Sequence, residues 1–148
     1  MTPHKTVLFL CTGNYYRSRF AEILFNHVAG QRGLSWRAVS AGVAIEYGIG
    51  NPGFMSRDTI GRLRTLGIPI DAYLRMPLQV GEDDLADADL VIALKEAEHR
   101  PLLQERYPGW EDRVHYWHVH DLDGWGPDET LDCIEREVAG LVGRLGTD

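Results

Sequence analysis

Cysteine is scarce in this chain of 148 residues: Cys11 and Cys133 are the only two, and they are far apart with no framework spacing. That excludes a disulfide scaffold and points to a reducing, cytoplasmic setting. No apolar run approaches membrane-spanning length, so the expectation is a soluble protein with neither a leader nor a membrane partner. No lysine or arginine cluster relieves the formal net charge of -7. A nucleic-acid binder needs a basic patch to displace counterions, so nucleic acid is excluded as a partner. Internal repeats, low-complexity tracts and linkers are also missing. The length suits one domain over residues 1–148, with a core that needs no cofactor for its stability.

What is present is an alternation of strand-type and helix-type periodicity. Strands are predicted near 5–10, 36–40, 88–93 and 113–119. Helices are predicted near 18–32, 55–66, 95–106 and 128–145, with a short helical turn at 82–86. Strands separated by helices pair in parallel through right-handed crossovers. The expected fold is therefore α/β, a three-layer α/β/α sandwich around a four-stranded parallel sheet. Ligands in such folds bind beyond the carboxyl ends of the strands, and Cys11 stands at such an end.

The first predicted strand runs Val7 to Leu10 and feeds directly into Cys11-Thr12-Gly13-Asn14-Tyr15-Tyr16-Arg17-Ser18. A helix with Phe20, Leu24 and Val28 on one side follows. A cysteine and an arginine six positions apart can close a ring of backbone N–H groups around a tetrahedral oxyanion, with a helix N-terminus behind it. Surroundings of that kind favour a thiolate, the nucleophilic form of cysteine. Arg17 offers a planar fork for two phosphoryl oxygens, which lysine cannot copy. Gly13 allows tight curvature, and Asn14 tolerates left-handed backbone angles. Ser18 suits both a helix N-cap and a hydroxyl within reach of the sulfur. The loop reads as a phosphate-binding site spanning residues 12 to 18, with Cys11 as nucleophile.

The stretch VLFLCTGNYYRSRFAE closely resembles the opening of the low-molecular-weight protein tyrosine phosphatases. Ser40-Ala41-Gly42, Leu66-Gly67-Ile68 and Asp89-Leu90-Val91-Ile92 are similar to further segments of that family, so the resemblance covers most of the chain. It implies a metal-independent, cofactor-free phosphatase, a monomer acting on phosphotyrosine-containing protein or a small phosphomonoester. It also implies an aspartate acid after the fourth strand, usually in Asp-Pro. Here the segment reads His120-Asp121-Leu122-Asp123-Gly124-Trp125. Asp121 matches by position and Asp123 competes with it, while Leu122 stands where proline is expected. Tyr47 and Trp125 fall on loops that border the family's pocket, and with Tyr15 and Tyr16 they would wall an aromatic slot. Tyr16 replaces a second loop cysteine common in the family, and Arg19 replaces a common proline.

Other constellations carry less. His118 and His120 on a strand face one way and His115 the other, so three metal ligands do not converge and no metal is expected. Gly48, Gly50 and Gly53 match a nucleotide-binding spacing, but they belong to a long loop and Pro52 interrupts them. Cys133 falls off the apolar stripe of Leu131, Ile134, Val138, Leu141 and Leu145, so it reads as inert and peripheral. The rival functions are an arsenate reductase on the same fold, a phosphate-binding interaction module without turnover and, more distantly, sulfur transfer. The thioredoxin-coupled form of arsenate reduction needs three cysteines, and this chain has two.

Overall fold

The computed structural model describes residues 4–120 and 126–146. Its four strands are β1 (Lys5–Cys11), β2 (Trp36–Gly42), β3 (Leu90–Ala93) and β4 (His115–Tyr116). They form one parallel sheet in the order β2-β1-β3-β4. Five helices connect and flank them: α1 (Arg17–Gln31), α2 (Arg57–Thr65), α3 (Glu82–Asp87), α4 (Glu96–Arg106) and α5 (Pro127–Leu145). The expected three-layer sandwich is the fold observed.

Alternation along β1 explains the layers, because successive side chains on a strand point to opposite faces. Val7 and Phe9, with Ile92 of β3, pack beneath α1, α2 and α5 against Phe20, Phe25, Leu63, Leu131 and Ile134. Leu8 and Leu10, with Val91 and Ala93, lie on the other face under Leu85 of α3 and Leu103 of α4. Phe9 also meets Trp117 and Phe25, with ring centroids 5.4 and 6.1 Å away. Each such large side chain taken out of water contributes roughly 1.5–3 kcal/mol, which fixes β1 at the centre of the sheet and its last residue, Cys11, at the sheet's carboxyl edge.

Two predicted elements differ from the structure for local reasons. β4 covers only two of the seven residues from 113 to 119. The carbonyls of His118, Val119 and His120 accept instead from Cys133 Sγ, Arg17 Nη1 and Thr130 Oγ1, so side chains take the groups that a longer ladder would use. Helix α1 is buried all round from Arg17 to Phe25, not along one stripe. Arg19 and Glu22, which a stripe would turn to solvent, lie inside and are hydrogen-bonded there. Cys133 is likewise not peripheral: it belongs to the α1/α5 core, and burial pushes its thiol pKa up.

The carboxyl edge is closed by an apposition that needs glycine. Gly42 ends β2 beside Cys11, and a Cβ there would sit 2.7 Å from the Thr12 carbonyl oxygen and 3.0 Å from the Asn14 amide nitrogen. Both are backbone atoms of the loop after β1, so neither can swing away. Gly42→Ala is expected to cost roughly 1–3 kcal/mol by overpacking. Thermal unfolding should show a lowered midpoint together with weakened inorganic-phosphate binding; an unchanged midpoint would mean that the loop yields freely.

Candidate active site

The loop of residues 12–16 hangs from β1 and ends in the first turn of α1. Asn14 is the one non-glycine residue with a left-handed backbone among those described, with φ 52°. Its side chain holds it there. Oδ1 accepts from Leu78 N and Arg75 Nη1, both at 3.0 Å, while Nδ2 donates to Ser18 Oγ at 2.9 Å and Ser40 Oγ at 3.0 Å. The orientation of the amide follows from its partners, since Leu78 N–H and the Arg75 guanidinium can only donate. Ser40 passes its own proton to Glu22, 2.6 Å away. Burial raises the Glu22 carboxyl pKa, opposed by Ser40, Arg75 and Arg19.

Cys11 is 3% exposed, and its Sγ lies 2.9 Å from Ser18 Oγ. Ser18 also accepts from Asn14, which leaves its own hydroxyl hydrogen available to a Cys11 thiolate. It is not the helix cap: that position falls to Tyr16, and Ser18 sits inside the first turn. Among the described residues no backbone carbonyl accepts from the N–H groups of Gly13, Asn14 and Tyr15. Those three amides lie in the loop that leads on from Cys11, where an oxyanion can take them.

Arg17 closes the ring. Its guanidinium is pinned by the Val119 carbonyl at 3.2 Å on Nη1 and by the Glu98 carboxylate at 2.8 Å on Nη2. A cleft of about 360 Å³ opens above, lined by Cys11, Thr12, Gly13, Tyr15, Tyr16, Arg17, Tyr47, Gly48, Asn51, Ser56 and Glu98. Tyr15 forms one wall, its hydroxyl donating to the Pro52 carbonyl at 2.6 Å. Tyr47 is 66% exposed at the rim, with the Arg106 guanidinium 5.6 Å from its ring centre. Tyr16 also reaches the cleft, but it is largely a core residue whose carbonyl takes the Thr59 hydroxyl. Asp121, Asp123 and Trp125 lie outside the described residues.

Sequence reasoning missed Glu98 and His99. Glu98 Oε2 accepts the Thr12 hydroxyl, and His99 Nε2 lies 3.1 Å from that hydroxyl and 3.2 Å from Glu98. The signal was available: both residues lie in the first turn of α4, the helix that follows β3 at the carboxyl edge of the sheet where ligands bind. Burial opposes ionisation of Glu98, yet hydrogen bonds from His99 and Arg17 outweigh it and hold the carboxyl pKa well below the usual range. Burial in turn pushes the His99 imidazole pKa down. The glycine-rich loop serves as a wall rather than a nucleotide site, and Gly50 and Gly53 take left-handed angles within it. His118 and His120 rings touch at 4.6 Å, and among the described residues no group of three potential ligands could hold a metal ion.

Arg19 ties the walls to the floor. Fully buried, it donates from Nη1 to the carbonyls of Asn14 and Phe54 and from Nη2 to those of Tyr73 and Arg75, at 2.8 to 3.3 Å. Burial and the neighbouring Arg75 bring its pKa down to about 10, which leaves it charged at neutral pH.

The family model described as low molecular weight phosphotyrosine protein phosphatase matches residues 6–148. The low molecular weight protein-tyrosine-phosphatase YfkJ of Bacillus subtilis is 42% identical over 91 residues, covering 60% of this chain and 55% of that protein. The low molecular weight phosphotyrosine protein phosphatase of Homo sapiens is 34% identical over 102 residues, covering 66% and 60% respectively. The chain thus spans under two thirds of the length of either relative. In structure, the YfkJ crystal structure superposes with a TM-score of 0.80 at 28% identity, over 99% of this chain and 97% of that one. An arsenate reductase of Halalkalibacterium halodurans is 28% identical over 95% of this chain and 91% of its own length.

Two outcomes test the framework around the site. Arg19→Leu strands four carbonyls, each costing about 1–3 kcal/mol when buried without a donor. The expected result is a lowered denaturant midpoint and a weakened grip on phosphate; an unaltered midpoint would show that those carbonyls find water. The second outcome concerns acid. The Glu98 carboxyl titrates lower in the folded chain than its ordinary 4.5, so its stabilising contribution is complete above that pH and drains away as pH falls below it. Glu98→Gln should flatten the fall in melting temperature below that pH, and parallel wild-type and variant curves would contradict the assignment.

Proposed function

The chain belongs to the low molecular weight phosphotyrosine protein phosphatase family, and on that footing we propose that it hydrolyses phosphotyrosine-type monoesters through a cysteinyl-phosphate intermediate. The observation that carries this reading is one cleft lined by Cys11, Arg17 and the loop between them, whose Gly13, Asn14 and Tyr15 amides give no hydrogen bond to a backbone carbonyl among the described residues.

In the first step Cys11 Sγ attacks phosphorus, so an S–P bond forms as the bond to the leaving oxygen breaks. Asp121 gives its proton to that oxygen. In the second step Asp121, now a carboxylate, takes a proton from water; the water oxygen attacks phosphorus and the S–P bond breaks, releasing phosphate and restoring the thiolate. Arg17 and the loop amides hold the equatorial oxygens, where charge collects in the transition state, so fixed donors there carry much of the rate. Ser18 holds the sulfur as a leaving group in the second step, through its hydroxyl at 2.9 Å. Thr12, Gly13, Asn14, Tyr15 and Tyr16 shape the cradle, and Tyr15 and Tyr47 wall the approach; the family resemblance gives Trp125 the same part. A phenyl ring can stack in such a slot, whereas phosphoserine is too short to bring phosphorus down to the sulfur.

Arsenate reduction is the weaker reading. It is supported by the relative of that name, but the thiol relay it needs lacks a partner here: Cys133, the second of two cysteines, is buried in the α1/α5 core. Two free thiols fit a reducing, cytoplasmic location. No helix among the described residues is long and apolar enough to cross a membrane.

Cys11→Ser should leave no more than a few per cent of wild-type turnover, on the order of residual catalysis without a nucleophile, while inorganic phosphate still binds. Substantial remaining hydrolysis would exclude the covalent route. The acid is tested by leaving groups: Asp121→Asn should slow poorly activated aryl phosphates far more than well activated ones, because a stable phenolate departs without help. Asp123→Asn should slow all of them mildly, and the reverse pattern would transfer the role to Asp123.

A further inference from the structure

Glu98 is not part of the proposed reaction, yet its carboxylate shares the cleft with Cys11. A negative group beside a site for a dianion weakens binding unless it serves something else. One oxygen, Oε2, receives three donors: Arg17 Nη2, the Thr12 hydroxyl and His99 Nε2. The proton on His99 is fixed by this arrangement. Thr12 has a single hydroxyl hydrogen and gives it to Glu98, so Nε2 must carry the hydrogen that reaches the threonine oxygen and the carboxylate. Thr12, the first residue of the loop, and Arg17, the first residue of α1, therefore meet on one atom of α4.

We propose that Glu98 is a positioning residue for Arg17: it fixes the plane of the guanidinium fork and offsets its charge, so the cradle grips bound phosphate loosely while meeting the transition state in register. The two effects have opposite signs in the two kinetic constants. An arginine freed from Glu98 keeps its charge and attracts phosphate at least as well, since a nearby anion has gone. It loses orientation, on which the transition state depends more steeply than the ground state. His99, fully buried behind Glu98, keeps the carboxylate from turning away.

The inference rests on the proposed phosphatase reading, and the test separates the two. Turnover of p-nitrophenyl phosphate and calorimetric binding of inorganic phosphate are measured on the whole chain, in wild type, Glu98→Ala and Glu98→Gln. Glu98→Ala should lower kcat by about tenfold while phosphate binds as tightly as in wild type or several-fold tighter. Glu98→Gln keeps the acceptor oxygen without the charge, so it should recover most of the lost rate and retain the tighter phosphate binding. A merely structural role would weaken binding and rate together. A kcat loss in Glu98→Ala below about threefold, or phosphate binding weakened by more than about threefold, would overturn the assignment. A wild type that hydrolyses no phosphomonoester would overturn the phosphatase reading instead, and the phosphate titration would still decide the role of Glu98.

Discussion

The side-chain amide of Asn14 is the interaction from which the site hangs. It uses all its hydrogen-bonding capacity at once, two bonds accepted and two donated, in a position that is wholly buried. A buried network of this kind is rigid only when every member is satisfied. Here satisfaction holds the left-handed backbone at Asn14, in the middle of the loop that carries the Gly13 and Tyr15 amides. Ser18 and Ser40 follow from it, because each accepts from the amide; Ser40 then sends its own proton to Glu22, and Ser18 meets the Cys11 sulfur. Chemistry at the sulfur and packing beneath the loop are thus parts of one chain of hydrogen bonds.

Two arginines two positions apart in the helix serve different ends. Arg17 points into the cleft and is held by Val119 and Glu98; Arg19 points down and spends its fork on four carbonyls from three segments. Both are buried, and in both the planar guanidinium supplies what a point charge could not. The cost of burying positive charge is offset locally, by Glu98 for one and by carbonyl dipoles and nearby Glu22 for the other. This explains how a chain of net charge -7 can present an anion site: the field that matters is set within a few ångströms, and exposed charge beyond about 10 Å is largely screened.

The strand, loop and helix around Cys11 were legible in sequence because the cradle is local, with nucleophile, turn residue and fork inside seven consecutive positions. The four-stranded parallel sheet was legible from the alternation of strands and helices. What escaped depends on distant segments meeting. Glu98 and Arg75 reach the loop only after β3 and the 74–80 segment pack beside β1 and β2, and the need for glycine at 42 arises only from its approach to Thr12 and Asn14. Arg19 was read from its departure from a family pattern, not from its carbonyl partners, since polarity in a helix ordinarily means solvent. The shortness of β4 escaped for a similar reason: its would-be ladder carbonyls are taken by Arg17 of α1 and by Thr130 and Cys133 of α5.

The central claim is a phosphoryl group carried on the Cys11 sulfur. Acid quenching during turnover of an aryl phosphate, followed by mass spectrometry of the peptide containing Cys11, tests it directly. A phosphoryl adduct on Cys11 that appears within the first turnover and vanishes as substrate is exhausted is the expected result. Steady hydrolysis with no adduct on that peptide, under conditions where the second step limits the rate, would contradict it.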